Sequence, residues 1–130
     1  MFAADLLRAS AIECELQFVK LSSYDGTSST GKVKEIIGLQ SPIKGRHVII
    51  VEDIVDTGRT IYSMMEDLEG MQPASIAVAT LLLKPESLEY EIESSYVGFE
   101  IPDAFVIGYG LDLDGKARNL SDIYQLDGDA

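Results

Sequence analysis

The segment from His47 to Met65 reads HVIIVEDIVDTGRTIYSMM. Val48 to Val51 are apolar at consecutive positions, the pattern of a strand buried on both faces, as in a parallel sheet. The run meets Glu52-Asp53, resumes at Ile54-Val55, and gives way to the polar turn Asp56-Thr57-Gly58-Arg59-Thr60. Beyond the turn, Ile61, Met64, Met65 and Leu68 recur at i, i+3, i+4 and i+7, so one face of a helix is apolar, and Gly70 stands where a C′ stop is expected. A second apolar run, SIAVATLLLK from Ser75 to Lys84, completes a strand–helix–strand unit. That order predicts an α/β fold with an open, mainly parallel sheet flanked by helices.

Working outward, Phe2, Leu6 and Leu7 with Ala3 and Ala9 predict an amphipathic helix over Met1 to Ala11. CELQFVKL, from Cys14 to Leu21, alternates and reads as a strand. Ser22 to Lys32 is rich in Ser, Thr and Gly without an apolar period, which predicts a mobile loop, and Val33 to Ile37 is a short strand leaving it. SYVGFEIP and AFVIGYGLD add two more short strands.

A length of 130 residues makes one domain, long enough to bury roughly two-thirds of its unfolded surface. With 46% hydrophobic and 25% charged residues the composition is that of a folded globular protein. The net charge of -12 opposes a nucleic-acid or acidic-membrane partner, since counterion release needs a basic face. It does not oppose a small phosphorylated ligand held by backbone N–H groups and metal ions. Cys14 is the one cysteine, so no internal disulfide forms and a reducing cytoplasm is expected. No apolar run reaches the ~18 residues of a membrane span, and the start MFAADLLRAS, with no basic leader and Asp5 inside its apolar stretch, is not a signal peptide.

In open α/β sheets ligands bind beyond the carboxyl ends of the strands, which is where Glu52 and Asp53 fall. Two carboxylates there suit vicinal hydroxyls, or Mg²⁺ through water. The turn from Asp56 to Thr60 has a different chemistry. It offers successive N–H groups, two Thr hydroxyls, a Gly that tolerates unusual φ, and the positive end of the next helix, together an anion site suited to a phosphate monoester. A ligand that satisfies both halves is a ribose 5-phosphate. An acidic pair alone is ordinarily a solvated strand end and a lone Asp an N-cap, but here the features agree in spacing.

VIIVEDIVDTGRT resembles the phosphoribosyl-pyrophosphate-binding signature of type I phosphoribosyltransferases. The flanks KLSSYDGTSSTGKVK, ATLLLK, VGFEIPDAFVIGYGLD and ARNL are similar to the hypoxanthine/guanine members, and the resemblance runs over about residues 1 to 124. It implies the type I phosphoribosyltransferase fold and purine salvage: transfer of 5-phosphoribosyl from phosphoribosyl pyrophosphate to hypoxanthine or guanine. By the same resemblance, Glu52 and Asp53 would contact the ribose hydroxyls and their Mg²⁺. Asp56 would be the general base, and Asp56, Thr57, Gly58, Arg59 and Thr60 would form the 5-phosphate loop. Lys84 would hydrogen-bond the 6-oxo group, Phe105 would stack on the base, and Val106 would offer it backbone groups. Asp112, bordering the purine, would ligate a second Mg²⁺; Arg118 would meet pyrophosphate; Ser23 and Tyr24 would belong to a lid, the mobile loop at about 22–32. A homo-oligomer, dimer or tetramer, is also implied.

Each residue has a plainer reading. A lysine is ordinarily a surface charge, but Lys84 ends an apolar strand expected beside the first. Phe105 is read as core as well as stacking platform. DLDG at Asp112 would need Glu eleven residues on to be a calcium loop, and Ile123 stands there. GYGLDL fails the dinucleotide fingerprint at Leu113. His47 and Cys14 are read as structural. Two rivals stay open: a regulatory module that senses the phosphoribosyl ligand, which the negative charge opposes where RNA is the partner, and a catalytically impaired fragment. The family resemblance implies a pyrophosphate loop and its leading strand upstream of FAADLLR, so a single domain over 1–130 that is incomplete at its N-terminus, weak in ligand binding and poor in turnover, is expected.

Overall fold

The computed structural model describes residues 1–23 and 34–127. Its element order is α1 (Phe2–Ala9), β1 (Lys20–Ser23), β2 (Lys34–Ile37), β3 (His47–Val55), α2 (Arg59–Glu69), β4 (Ser75–Leu83), a 3₁₀ turn (Pro85–Ser87), β5 (Tyr96–Glu100), β6 (Val106–Ile107) and β7 (Tyr124–Gln125). Among these residues no helix is long and apolar enough to cross a membrane.

The expected βαβ unit is the centre of the molecule. β3, β4 and β5 form a parallel three-stranded sheet in that order, with Val48 opposite Ile76, Ile50 opposite Val78, and Val55 opposite Leu83. On one face, Val48, Ile50, Ile76 and Val78 pack with Ile61, Met64 and Leu68 of α2. Each of these three helix residues is buried, and full burial of such a side chain is worth roughly 1.5–3 kcal/mol. β4 is the central strand, and Val78 is wholly enclosed.

Four expectations are corrected. β3 is not buried on both faces: it is an edge of the three-stranded sheet, and Ile49 is 56% exposed. The strand expected over Cys14 to Leu21 is confined to Lys20–Ser23, paired antiparallel with β2; before it the chain runs without regular structure, with Phe18 exposed. α1 buries no residue, although Phe2, Leu6 and Leu7 form the expected stripe. The strand expected in AFVIGYGLD shrinks to the two residues of β6, whose partner β7 has no periodic pattern of its own. Ser22 and Ser23 of the expected mobile loop are in β1, whereas Tyr24 and the rest of it lie outside the described residues.

Gly70 caps α2 in a right-handed conformation, φ -61°, and not the left-handed one a C′ glycine usually takes. The left-handed residue is Gln72, φ 59°. The helix tightens at its end through N–H donation from Met71 to the Leu68 carbonyl and from Gln72 to the Glu69 carbonyl. Ala74 N–H then donates to the Arg46 carbonyl at 2.8 Å, aligning the starts of β3 and β4.

Candidate functional site

Three parallel strands deliver their carboxyl ends to one side of the molecule, and most of the candidate residues lie on or just beyond them. Glu52 and Asp53 are within β3, because the strand continues past the acidic pair to Val55. They have different surroundings. Glu52 is half-buried, and burial pushes its carboxyl up to about 7, with the negative charge of Asp53 adding to the rise. Asp53 has no Cα partner in the register with β4, which passes from Glu52–Thr80 to Ile54–Leu82. Its Oδ1 accepts the Ile54 N–H at 2.8 Å. As hard oxygen donors in sequence, the pair fits a largely hydrated Mg²⁺. Among the described residues no group of three His, Cys, Asp or Glu side chains converges on one metal position, so Asp112 is not part of the same cluster.

The turn after β3 is built around Gly58, whose φ of 84° is in the left-handed region. It is the N-cap of α2, and no side chain caps the helix. The first helical hydrogen bond runs from Tyr62 N–H to the Gly58 carbonyl at 2.9 Å. The N–H groups of Thr60 and Ile61 therefore precede any in-helix acceptor, at the positive end of the helix dipole. The Thr57 hydroxyl accepts the Arg59 N–H at 3.3 Å. The first turn carries no acidic side chain that would repel an anion. A strap from the next connection holds the turn from behind. Glu89 N–H donates to the Thr57 carbonyl at 2.9 Å, Leu88 and Ile92 crowd Gly58, and Tyr90 meets the Tyr62 ring at a 5.0 Å centroid distance.

Lys84 follows β4 directly, its N–H bonded to the Val55 carbonyl at 3.0 Å. This confirms the adjacency on which its candidacy rested. Its side chain is buried, and Nζ lies 3.4 Å from Asp56 Oδ2 and 3.6 Å from Asp103 Oδ1. A buried ammonium needs such partners. Asp103 is the residue that the sequence reading missed. It follows β5 by three positions, and β5 pairs with β4, so the register between two apolar runs was the signal that would have found it.

Phe105 is 54% exposed, which corrects its reading as core. Val106 and Gln125 face each other across the β6–β7 ladder, and Leu126 N–H donates to the Phe105 carbonyl at 2.9 Å. That bond flanks a non-hydrogen-bonded pair, so Val106's own N–H and C=O point away from β7.

Asp112 and Arg118 are together on the chain that doubles back between β6 and β7. Arg118 Nη2 lies 3.4 Å from Asp112 Oδ1, and its Nη1 donates to the Gly110 carbonyl at 2.6 Å. Asp112 Oδ2 accepts the Gly115 N–H at 2.9 Å. Gly108, φ 92°, is required here, since a Cβ would stand 2.1 Å from the Asp122 carbonyl oxygen. The Tyr109 hydroxyl hydrogen-bonds the Asp5 carboxylate, tying α1 to this segment. Ser23 is in β1, and Tyr24 lies outside the described residues.

Known proteins share this sequence pattern and fold. Residues 1–114 match the family model described as Phosphoribosyl transferase domain. The chain is 44% identical over 128 residues to a hypoxanthine-guanine phosphoribosyltransferase of Mycobacterium bovis, covering 98% of this chain and 63% of that protein. It is 45% identical over 121 residues to a hypoxanthine phosphoribosyltransferase of Haemophilus influenzae, covering 92% of this chain and 68% of that one. Among solved structures, a variant hypoxanthine phosphoribosyltransferase of Trypanosoma cruzi complexed with the product IMP superimposes with a TM-score of 0.85 at 42% identity, covering 98% of this chain and 66% of that one. The chain thus spans under two-thirds of the length of its mycobacterial relative.

Proposed function

The chain belongs to the phosphoribosyl transferase domain family, among the hypoxanthine-guanine phosphoribosyltransferases, and from that premise we propose that its site transfers a 5-phosphoribosyl group from phosphoribosyl pyrophosphate to a 6-oxopurine, hypoxanthine or guanine, releasing pyrophosphate. The observation that carries this reading is the contact between Lys84 and Asp56, a buried cation against a carboxylate at the mouth of a phosphate-type turn. In this reading the 5-phosphate takes the N–H groups and hydroxyls of Thr57 to Thr60, and Glu52 and Asp53 accept the ribose hydroxyls. Bound Mg²⁺, held by Glu52 and Asp53 with a second ion at Asp112, would neutralise charge on the pyrophosphate. Asp56 takes the proton from the purine imidazole nitrogen as the base attacks the anomeric carbon, a role worth ~10²–10⁴ in rate. Lys84 donates to the 6-oxo group and stabilises the purine while that proton leaves. Phe105 stacks on the purine, and the outward backbone groups of Val106 bond its edge. Arg118 exchanges Asp112 for pyrophosphate; as an exposed ion pair, theirs contributes only about 0–1 kcal/mol, so the exchange is easy.

The same reading takes residues 1–130 as one phosphoribosyltransferase domain with a lid at about 22–32 that includes Ser23 and Tyr24 and keeps water from the reacting sugar. It takes the protein as a cytoplasmic homo-oligomer, dimer or tetramer. The test is purine-dependent pyrophosphate release from phosphoribosyl pyrophosphate with hypoxanthine, guanine, xanthine and adenine in parallel. Use of 6-oxopurines with adenine rejected is expected; adenine used as well as hypoxanthine contradicts the role of Lys84.

A further inference from the structure

We propose that Asp103 is a positioning residue for the base-reading lysine: it holds the Lys84 ammonium so that it can face the purine while Asp56 is released to take the proton. The inference rests on the reading of Lys84 and Asp56 just given. Three neighbouring parallel strands end in a line of alternating charge. Asp56 follows β3, Lys84 follows β4, and Asp103 follows β5. Lys84 Nζ stands between the two carboxylates, at 3.4 Å and 3.6 Å. The lysine side chain is 8% exposed, whereas those of Asp56 and Asp103 are 51% and 69% exposed.

The asymmetry has a consequence. With Asp56 as its only partner, the buried ammonium would have to remain on the base or lose its counter-charge when a purine enters, and an unpaired buried charge is costly. Asp103 removes the conflict, because the ammonium stays paired on that side as it turns from Asp56 to the purine oxygen. The backbone places Asp103 for this task. Ile101 N–H donates to the Leu83 carbonyl at 2.8 Å, extending the β4–β5 ladder to the residue before Lys84, and Ala104 N–H closes a tight turn on the Pro102 carbonyl at 2.8 Å around Asp103.

The experiment is calorimetric titration of the 130-residue protein with IMP, which carries base and sugar phosphate, and with ribose 5-phosphate, which carries the sugar phosphate alone. The parent, Asp103→Asn, Asp103→Glu, Lys84→Met and the Lys84→Met/Asp103→Asn double variant are compared. Asp103→Asn is expected to weaken IMP about tenfold, between the worth of an exposed and a buried pair, and ribose 5-phosphate less than about twofold. Asp103→Glu restores most of the loss, and in the Lys84→Met background Asp103→Asn adds nothing further. Equal weakening of both ligands by Asp103→Asn, or the same loss with Lys84 absent, makes Asp103 merely structural and overturns the proposal. If Lys84→Met binds IMP like the parent, or the parent does not bind IMP, the underlying reading of the site fails, and this proposal with it.

Discussion

Glu52 and Asp53 are neighbours in sequence, and the fold treats them in opposite ways. Asp53 turns to the backbone and accepts a hydrogen bond, whereas Glu52 is pushed up to about 7, first by burial and then by Asp53. A carboxylate in that state costs stability. Its folded value lies above its unfolded one, so from about 4.5 to about 7 the folded protein binds the extra proton, and stability from this group falls as pH rises through that window. Glu52→Gln removes the penalty. Urea unfolding should find the variant more stable than the parent at pH 8, on the order of 2 kcal/mol once the partial exposure of Glu52 is allowed for, with the difference closing toward pH 5. A variant less stable than the parent at pH 8 would mean that the Glu52 carboxylate is held by favourable contacts. The chemistry of Glu52 was legible in the sequence as an acid at a strand end. Its burial was not, because that depends on which neighbours the strand acquires.

At the scale of elements, periodicity found β3, α2 and β4, whose apolar residues are continuous or spaced by a helical turn. It failed where a partner and not a pattern defines the element. Cys14 to Val19 alternate convincingly but carry Leu16 and Phe18 exposed, while Tyr124-Gln125 pair with β6 without any alternation. The two glycines bounding α2 were both noticed, yet they do different work. Gly58 has a left-handed φ of 84°, and Gly70 a helical φ of -61°. Gly58→Ala should therefore lose at least about 1–2 kcal/mol, the cost of placing a Cβ in the left-handed region, with a further loss because that Cβ would stand 2.4 Å from Ile92 Cδ1 and displace it. Gly70→Ala, whose added Cβ comes no closer than 3.4 Å to its neighbours, should gain about 0.4–1 kcal/mol by restricting the unfolded chain. Thermal unfolding of the two variants checks both signs. Equal effects would show that the phosphate-type turn is not held in the conformation described.

For the molecule as a whole, the parallel sheet is an instrument for bringing distant stretches of sequence to one side. Asp56, Lys84 and Asp103 come from three separate connections, and only the β3–β4–β5 register makes them neighbours. The run from Asp56 to Thr60 was readable because its parts are contiguous; Asp103 was not, because its partner is nineteen residues away, 103 against 84. The central claim is that a nucleotide sits across these ends, its phosphate on the start of α2 and its base against Lys84 and β6. Titration of the isotopically labelled protein with IMP, followed residue by residue by amide NMR, tests this most directly. The account predicts that the largest shifts fall on Thr57, Gly58, Arg59, Thr60, Lys84 and Val106, and that the exposed edge of β3 around Ile49 is left unmoved. Saturable IMP binding that shifts the β3 edge and leaves the turn and Lys84 unchanged would contradict it.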